Sequence, residues 1–306
     1  MKILVTGSDG QLGQCLQSCA PESIQLSLAN RSTCDVSKPD ELRSYLQSCD
    51  ADVIINAACF TAVDLAETQP ELARQVNVDA VETLARHCAA TGAFFVQVSS
   101  DYVFDGRKTM PYLPADKVLP LNIYGETKAD AETATLELCP RSAVVRSSWS
   151  YSEYANNFFT TMLRLAGTHD ELSVVDDQTG SPTYAGNLAR MIWTLVEHGF
   201  DEQENRIWHW ADQGEITWFD FASAIFMYGL ELGLLERCPV LTPISTEQYG
   251  APAQRPRYSA LNTSQTESNL GIAPVSWRES LQAMLLRQVP RQQLAVTTAV
   301  TTAVAR

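Results

Sequence analysis

Several things are missing from this chain, and each absence removes a class of function. There is no Cys-x-x-Cys pair and no Cys/His cluster. The eight cysteines lie dispersed at Cys15, Cys19, Cys34, Cys49, Cys59, Cys88, Cys139 and Cys238. They read as reduced, small apolar residues. Cys15 and Cys19 are one helical turn apart, but no histidine lies near them to complete a zinc site. No apolar run approaches the length of a membrane span. The first residues carry no basic stretch followed by an apolar one, so no signal peptide is visible and the expected location is the cytoplasm. Positive charge is scarce: 22 Lys and Arg against 36 Asp and Glu leave a net charge of −14. That balance argues against non-specific nucleic-acid binding and against attraction to anionic membranes. It does not forbid an anionic ligand, because a local glycine turn binds phosphate even in an acidic protein. No solenoid-type repeat is present.

What is present suits a sizeable buried core. The 306 residues are 45% hydrophobic and 19% charged, enough for one large domain or two unequal ones. Short apolar runs alternate with helical stretches. Lys2–Thr6, Ile24–Leu28, Ala51–Ala58, Phe94–Ser100 and Ser142–Ser148 read as strands. Gln11–Ala20, the stretch opened by Pro39, Pro70–Thr91 and Ile123–Leu138 read as helices. This alternation predicts an α/β fold: a Rossmann-type, doubly wound parallel sheet with helices on both faces. Residues 1–150 are expected to form the dinucleotide-binding domain, rejoined by a late strand near 206–211. Residues 151–288 are expected to form mainly a smaller C-terminal substrate-binding domain. Residues 289–306 are Ala/Val/Thr-rich and read as a loose tail.

The first strand runs directly into Gly7-Ser8-Asp9-Gly10-Gln11-Leu12-Gly13. In strand–turn–helix context, the first glycine permits a tight turn. The second admits a pyrophosphate, and the third lets helix and strand pack closely. The helix beyond supplies free N–H groups and a positive dipole end. A dinucleotide site is therefore expected here. The second strand ends at Ala29-Asn30-Arg31-Ser32, without the acidic residue that would bind the ribose 2′-hydroxyl of NAD. Arg31 can instead pair with a 2′-phosphate, which favours NADPH or use of both cofactors. Asp35 and Val36 are placed to meet the adenine edge.

Downstream of Ser99-Ser100 comes Tyr124-Gly125-Glu126-Thr127-Lys128. A tyrosine and a lysine at this spacing share one helix face. An ammonium beside a phenol lowers the phenol pKa from roughly 10, so the tyrosine can exchange a proton with a carbonyl or alcohol.

Together these segments resemble the extended short-chain dehydrogenase/reductase superfamily, and within it the dTDP-4-dehydrorhamnose reductase family. The most specific strings are Thr61-Ala62-Val63-Asp64-Leu65-Ala66-Glu67 and Ser100-Asp101-Tyr102-Val103-Phe104. Val76-Asn77, Arg146–Trp149, Asp177–Thr183 and Arg255–Leu261 add to them. The resemblance implies NAD(P)H-dependent reduction of the 4-keto group of a dTDP-4-keto-6-deoxy-L-hexose. It implies Tyr124 as the general acid and Lys128 as the residue holding the nicotinamide ribose. Ser100 would bond the substrate oxygen where the family usually has threonine. Gly7, Gly10, Gln11, Leu12, Gly13, Ala57, Ala58, Thr61 and, beside Lys128, Tyr124 itself would contact the cofactor. Asp101, Trp149 and Arg255 would contact the nucleotide-sugar. Some members dimerise around Mg²⁺ held by glutamates, one of them at the position of Cys15 here. A thiol is a poor Mg²⁺ ligand, so no metal and a monomer or weak homodimer are expected. A dehydratase would need an acid where Tyr102 stands. A 4-epimerase, another nucleotide-sugar reductase and a non-catalytic NADP-binding regulatory protein remain as alternatives.

Overall fold

A computed structural model describes residues 1–199, 201 and 206–288 of the chain. The chain starts with β1 (Lys2–Thr6), α1 (Gln11–Ser18), β2 (Gln25–Ala29), α2 (Pro39–Gln47) and β3 (Val53–Asn56). Two short helices, α3 (Val63–Ala66) and α4 (Pro70–Arg74), lead into α5 (Ala80–Thr91). Then come β4 (Phe94–Ser100), α6 (Ile123–Leu138) and β5 (Ser142–Ser147). These strands, with a late strand at Ile207–Trp210, form one six-stranded sheet in which every pairing is parallel.

Alternation along each strand explains the two covered faces. Ile3 and Val5 pack with Leu12 and Leu16 of α1. Leu4, between them, packs on the opposite face with Leu42, Leu84 and Ala131. Successive residues of a strand point to opposite faces, so a sheet with apolar side chains on both faces needs helices on both. The strand order has β2 and β1 at one end, then β3, β4, β5 and the late strand. The order reverses between β1 and β3. A crevice opens there beyond the carboxyl ends of the strands, which is where open α/β sheets bind ligands.

The stretch 70–91 was expected as one helix. It is helical throughout, but residues Gln75–Asp79 form a π-helical turn between α4 and α5. The inserted turn carries Asn77, whose side chain is buried. Asn77 accepts from Phe60 N at 2.8 Å and donates to Thr127 Oγ1 at 2.9 Å. The ladder is traded locally for a bridge between the loop after β3 and α6. Gly92 then ends the helix with φ +77°, a left-handed cap.

The remainder forms a second apolar cluster. After the short strand β6 (Ser150–Tyr151) come α7 (Phe158–Ala166), β7 (Glu171–Val175), β8 (Thr179–Gly180) and β9 (Thr183–Tyr184). Next are α8 (Ala185–His198), β10 (Ile207–Trp210), β11 (Ile216–Thr217) and α9 (Trp218–Glu231). The series ends with β12 (Val240–Ile244), α10 (Thr246–Tyr249), α11 (Ser264–Leu270) and α12 (Trp277–Gln288). Phe159, Phe221, Ile225, Trp277 and Leu281 form this cluster's centre. α8 and β10 do not belong to it. Leu188, Ile192 and Trp193 of α8 pack beside α1 on the sheet, and β10 pairs with β5. The chain thus returns to the sheet after first leaving it, because α1 alone leaves part of that face uncovered. The stretch 289–306 read as a tail lies outside the described residues. Among the described residues, no helix is long and apolar enough to cross a membrane.

Candidate active site

The glycine turn is built by close approach. Gly7 has φ +67°, and a Cβ there would lie 2.5 Å from Ala58 N. Only glycine fits that backbone and that contact. A Cβ on Gly13 would lie 2.4 Å from Gly7 O, so the third glycine seats α1 against the turn. Gly10 is the N-cap of α1 and supplies no capping side chain. The first N–H groups of α1 are therefore without a side-chain partner and face the mouth of the turn.

Two cavities share Gly10, Ala57, Ala58 and Cys59 and so form one groove. The first, about 320 Å³, is lined by Gly7, Arg31, Asp35 and Val36 among others. The second, about 440 Å³, is lined by Gln11, Leu12, Thr61, Ser100, Asp101, Tyr124, Lys128 and Trp149 among others. The Arg31 side chain is 82% exposed and is held only by Asp35, at 3.4 Å. Its guanidinium keeps donors free for a phosphate. The Ser37 hydroxyl, ahead of the weaker pull of Arg31, holds the Asp35 carboxyl below its ordinary pKa. An elongated groove with a Cβ-free turn in the middle and a free guanidinium at one end fits a phosphorylated dinucleotide.

The start of α6 sets the other end of the groove. Asn122 caps the helix, accepting from Gly125 N at 2.8 Å. Glu67, from the Thr61–Glu67 string, accepts from Ile123 N at 2.9 Å. A Cβ on Gly125 would lie 2.3 Å from Tyr102 O, so this glycine lets α6 press against the turn after β4. Tyr124 and Lys128 are both buried on the face directed to that turn. Ser100 ends β4, accepts from Tyr102 N at 3.2 Å and donates to Asp101 Oδ1 at 2.9 Å.

The expected lowering of the Tyr124 pKa is corrected here. Burial raises it well above the ordinary value; Cys59 adds to the rise, and the Ser100 hydroxyl opposes it. Lys128 does not offset this, because its ammonium is turned away. It donates to Val98 O at 2.7 Å and to Cys59 Sγ at 3.6 Å. The phenol is thus held protonated. Asp101 is 1% exposed, and burial pushes its pKa up to about 6 against the pull of Ser259 and Ser100. Its Oδ2 completes no hydrogen bond among the described residues.

Two expected substrate contacts have different surroundings. Trp149 lines the groove with φ +44°, in the left-handed region that bulky residues avoid. Its ring stacks on Trp218, with centroids 3.6 Å apart and planes at 8°. Arg255 is not among the residues lining the groove. It forms a two-pronged pair with Asp64, at 3.0 and 2.8 Å. Asp64 is the acid of the Thr61–Glu67 string, so the two signature segments hold each other. Sequence reasoning missed Trp218, Cys59 and the role of Glu67. Trp218 had no local signal, since its partner is far away in the chain. Glu67 stood inside a conserved-looking string whose purpose appears only when α6 lies beside it.

A family model described as the RmlD substrate binding domain matches residues 1–289. The chain belongs to the RmlD family. A dTDP-4-dehydrorhamnose reductase of Aggregatibacter actinomycetemcomitans is 37% identical over 285 residues, covering 92% of this chain and 97% of its own. The Escherichia coli K12 reductase is 37% identical over 290 residues, covering 93% and 97%. The structure of the Bacillus anthracis reductase in complex with NADP superposes with a TM-score of 0.87 at 33% identity, covering 94% of this chain and 99% of that one.

One position bears on the expectation that this RmlD-family chain holds no metal. Cys15 is 1% exposed in the core between α1 and α8, and burial pushes its thiol pKa up to about 12. A neutral, buried thiol does not fit a Mg²⁺ ligand. Among the described residues, no group of three or more His, Cys, Asp or Glu side chains gathers to hold a metal ion.

Proposed function

We propose that this chain is a dTDP-4-dehydrorhamnose reductase that uses NADPH. The reading is carried by one observation. Ser100, Tyr124 and Lys128 converge at one end of a groove whose other end holds Arg31, with the glycine turn between them. The similarity to named reductases over most of the chain, and the NADP in the Bacillus anthracis structure, support it.

Gly7, Gly10, Gln11, Leu12 and Gly13 would hold the cofactor pyrophosphate, with Ala57, Ala58 and Thr61 along its length. Asp35 and Val36 would meet the adenosine, and Arg31 a 2′-phosphate. Lys128 would bind the nicotinamide ribose when its ammonium leaves Cys59. When bound, the reduced nicotinamide supplies a hydride to the sugar C4. Tyr124 gives its phenolic proton to the C4 oxygen, completing the alcohol. Ser100 donates to the same oxygen and positions it. Reduction needs the phenol loaded with its proton; the raised pKa keeps it loaded and makes it a weaker acid. Asp101 and Trp149 would face the sugar. Arg255 would act on the substrate only through Asp64 and the loop it anchors. Tyr102 stands where a dehydratase needs an acid, and burial raises its pKa further. The carboxylic acid that elimination of water calls for is therefore missing at that position.

The same reading makes the protein cytoplasmic, a monomer or weak homodimer, and free of any metal step. The test is oxidation of NADPH and NADH with the dTDP-4-keto-6-deoxy-L-sugar generated in situ. Wild-type turnover that collapses in Tyr124→Phe is expected. Cofactor binding without turnover would overturn the substrate assignment and move the chain to another nucleotide sugar or a regulatory role.

A further inference from the structure

We infer that Trp218 is a positioning residue for the sugar, acting by holding Trp149 flat in its left-handed backbone conformation. The inference rests on the proposed reading of the substrate. Trp149 follows β5 at the C-terminal edge of the sheet, and Trp218 opens α9 in the C-terminal cluster. Both line the cavity that contains Ser100 and Tyr124. Neither lines the Arg31 cavity.

Trp149 is a poor candidate for a self-supporting wall. Its φ of +44° is disfavoured for any residue with a Cβ, so the surroundings must hold it. Two contacts do so. Gly180 leaves its edge free, since a Cβ there would lie 2.5 Å from Trp149 Cε2. Trp218 covers one face, with centroids 3.6 Å apart and planes at 8°.

Trp218 is itself pinned from three sides. Its Nε1 donates to Gln178 Oε1 at 3.2 Å, and Gln178 Nε2 donates to Thr246 Oγ1 at 2.9 Å. Thr217 and Asp220 form a capping box around its backbone, and Thr217 Oγ1 donates to Asp176 Oδ1 at 2.6 Å. Phe158 packs on its ring with centroids 4.6 Å apart. The result is a two-indole plate at the sugar end. Such a plate favours the C–H face and the methyl group of a 6-deoxy sugar, and offers no partner to a 6-hydroxyl. Trp218 thereby couples the C-terminal cluster to the sugar without touching the reacting carbonyl.

The test compares Trp218→Ala and Trp218→Phe with wild type, using the same 4-keto sugar nucleotide and NADPH. Trp218→Ala is expected to raise the KM for the sugar nucleotide about ten-fold, the upper range for one aromatic pair. The kcat is expected to stay within about three-fold and the NADPH Kd to stay unchanged. Trp218→Phe keeps a stack but loses the bond to Gln178, and its KM should fall between the two. Two stacked indoles also give an exciton couplet in far-ultraviolet circular dichroism, which either Trp149→Phe or Trp218→Ala should abolish. A Trp218→Ala protein with wild-type KM and intact NADPH affinity overturns the inference. If that variant does not fold, a wild-type KM in Trp218→Phe overturns it instead. A wild type that shows the couplet but does not reduce the sugar overturns the substrate reading. A wild type without the couplet overturns the plate.

Discussion

The two ends of the groove are made from opposite materials. The cofactor end is backbone: Gly7, Gly10 and Gly13 matter for the Cβ they lack, and they lie within one turn of the chain. The sugar end is side chain: Ser100, Asp101, Tyr124, Lys128, Trp149 and Trp218 come from the end of β4, the turn after it, α6, the loop after β5 and α9. The cofactor end would bind by offering N–H groups, and its arginine, Arg31, stands largely in solvent beside Asp35. The sugar end instead buries a carboxyl with an unpaired oxygen and a phenol held protonated. Dinucleotide binding needs a shape that any strand–turn–helix with the right glycines provides. Sugar chemistry needs proton donors at one point, and burial is what tunes them.

Substitutions should separate the ends cleanly. The largest effect belongs to Tyr124→Phe, which removes the proton donor without disturbing the turn. Turnover should fall by about 10²–10⁴-fold with the NADPH Kd unchanged, checked by steady-state kinetics and calorimetric titration. A matched loss of cofactor affinity would show that the ends are not separable. Gly7→Ala should do the reverse. A Cβ at φ +67° and 2.5 Å from Ala58 N should cost about 1–3 kcal/mol of stability and weaken NADPH binding, read by urea unfolding and titration.

Asp101→Asn tests the cost of the buried carboxyl. Its folded pKa of about 6 lies above the ordinary 3.8, so the folded chain holds this proton more tightly than the unfolded one. The associated stability is present below pH ~4 and is lost as pH rises through about 6. The variant should therefore be more stable than wild type by about 1–2 kcal/mol at neutral pH and equal near pH 4. Unfolding at both pH values checks the sign, and a weaker affinity for the sugar nucleotide should accompany the gain. The smallest effect belongs to Arg31→Ala. One exposed guanidinium on a phosphate should shift the NADPH-over-NADH preference by up to about ten-fold. Stability should be untouched, and a preference that does not move would place the 2′-phosphate elsewhere.

Most of the fold was legible because its signals are local. Strands such as β3 carry a continuous apolar run, Val53, Ile54 and Ile55, and helices end at residues such as Gly92, so the parallel sheet could be read from period and punctuation. The π-helical turn at Gln75–Asp79 was not legible, since it depends on Asn77 finding Phe60 and Thr127. The return of the late strand was legible in the run at 206–211, and β10 pairs with β5 as expected. That α8 returns with it depended on a face left open by elements over a hundred residues earlier.

By itself, the sequence determined the glycine turn, the Tyr124–Lys128 pair, the place of Arg31 after β2 and the thiol at Cys15. Each is a property of residue type at short spacing, which backbone geometry converts directly into shape. Only the tertiary structure decided the ionisation of Tyr124, the pairing of Arg255 with Asp64 and the stack of Trp218 on Trp149. A pKa depends on which neighbours burial leaves around a group, and Lys128 was drawn to Val98 O and Cys59 rather than to the phenol. An arginine or an indole has many partners open to it along the chain. Packing selects one by bringing distant segments within a few ångströms, a choice that no local spacing encodes.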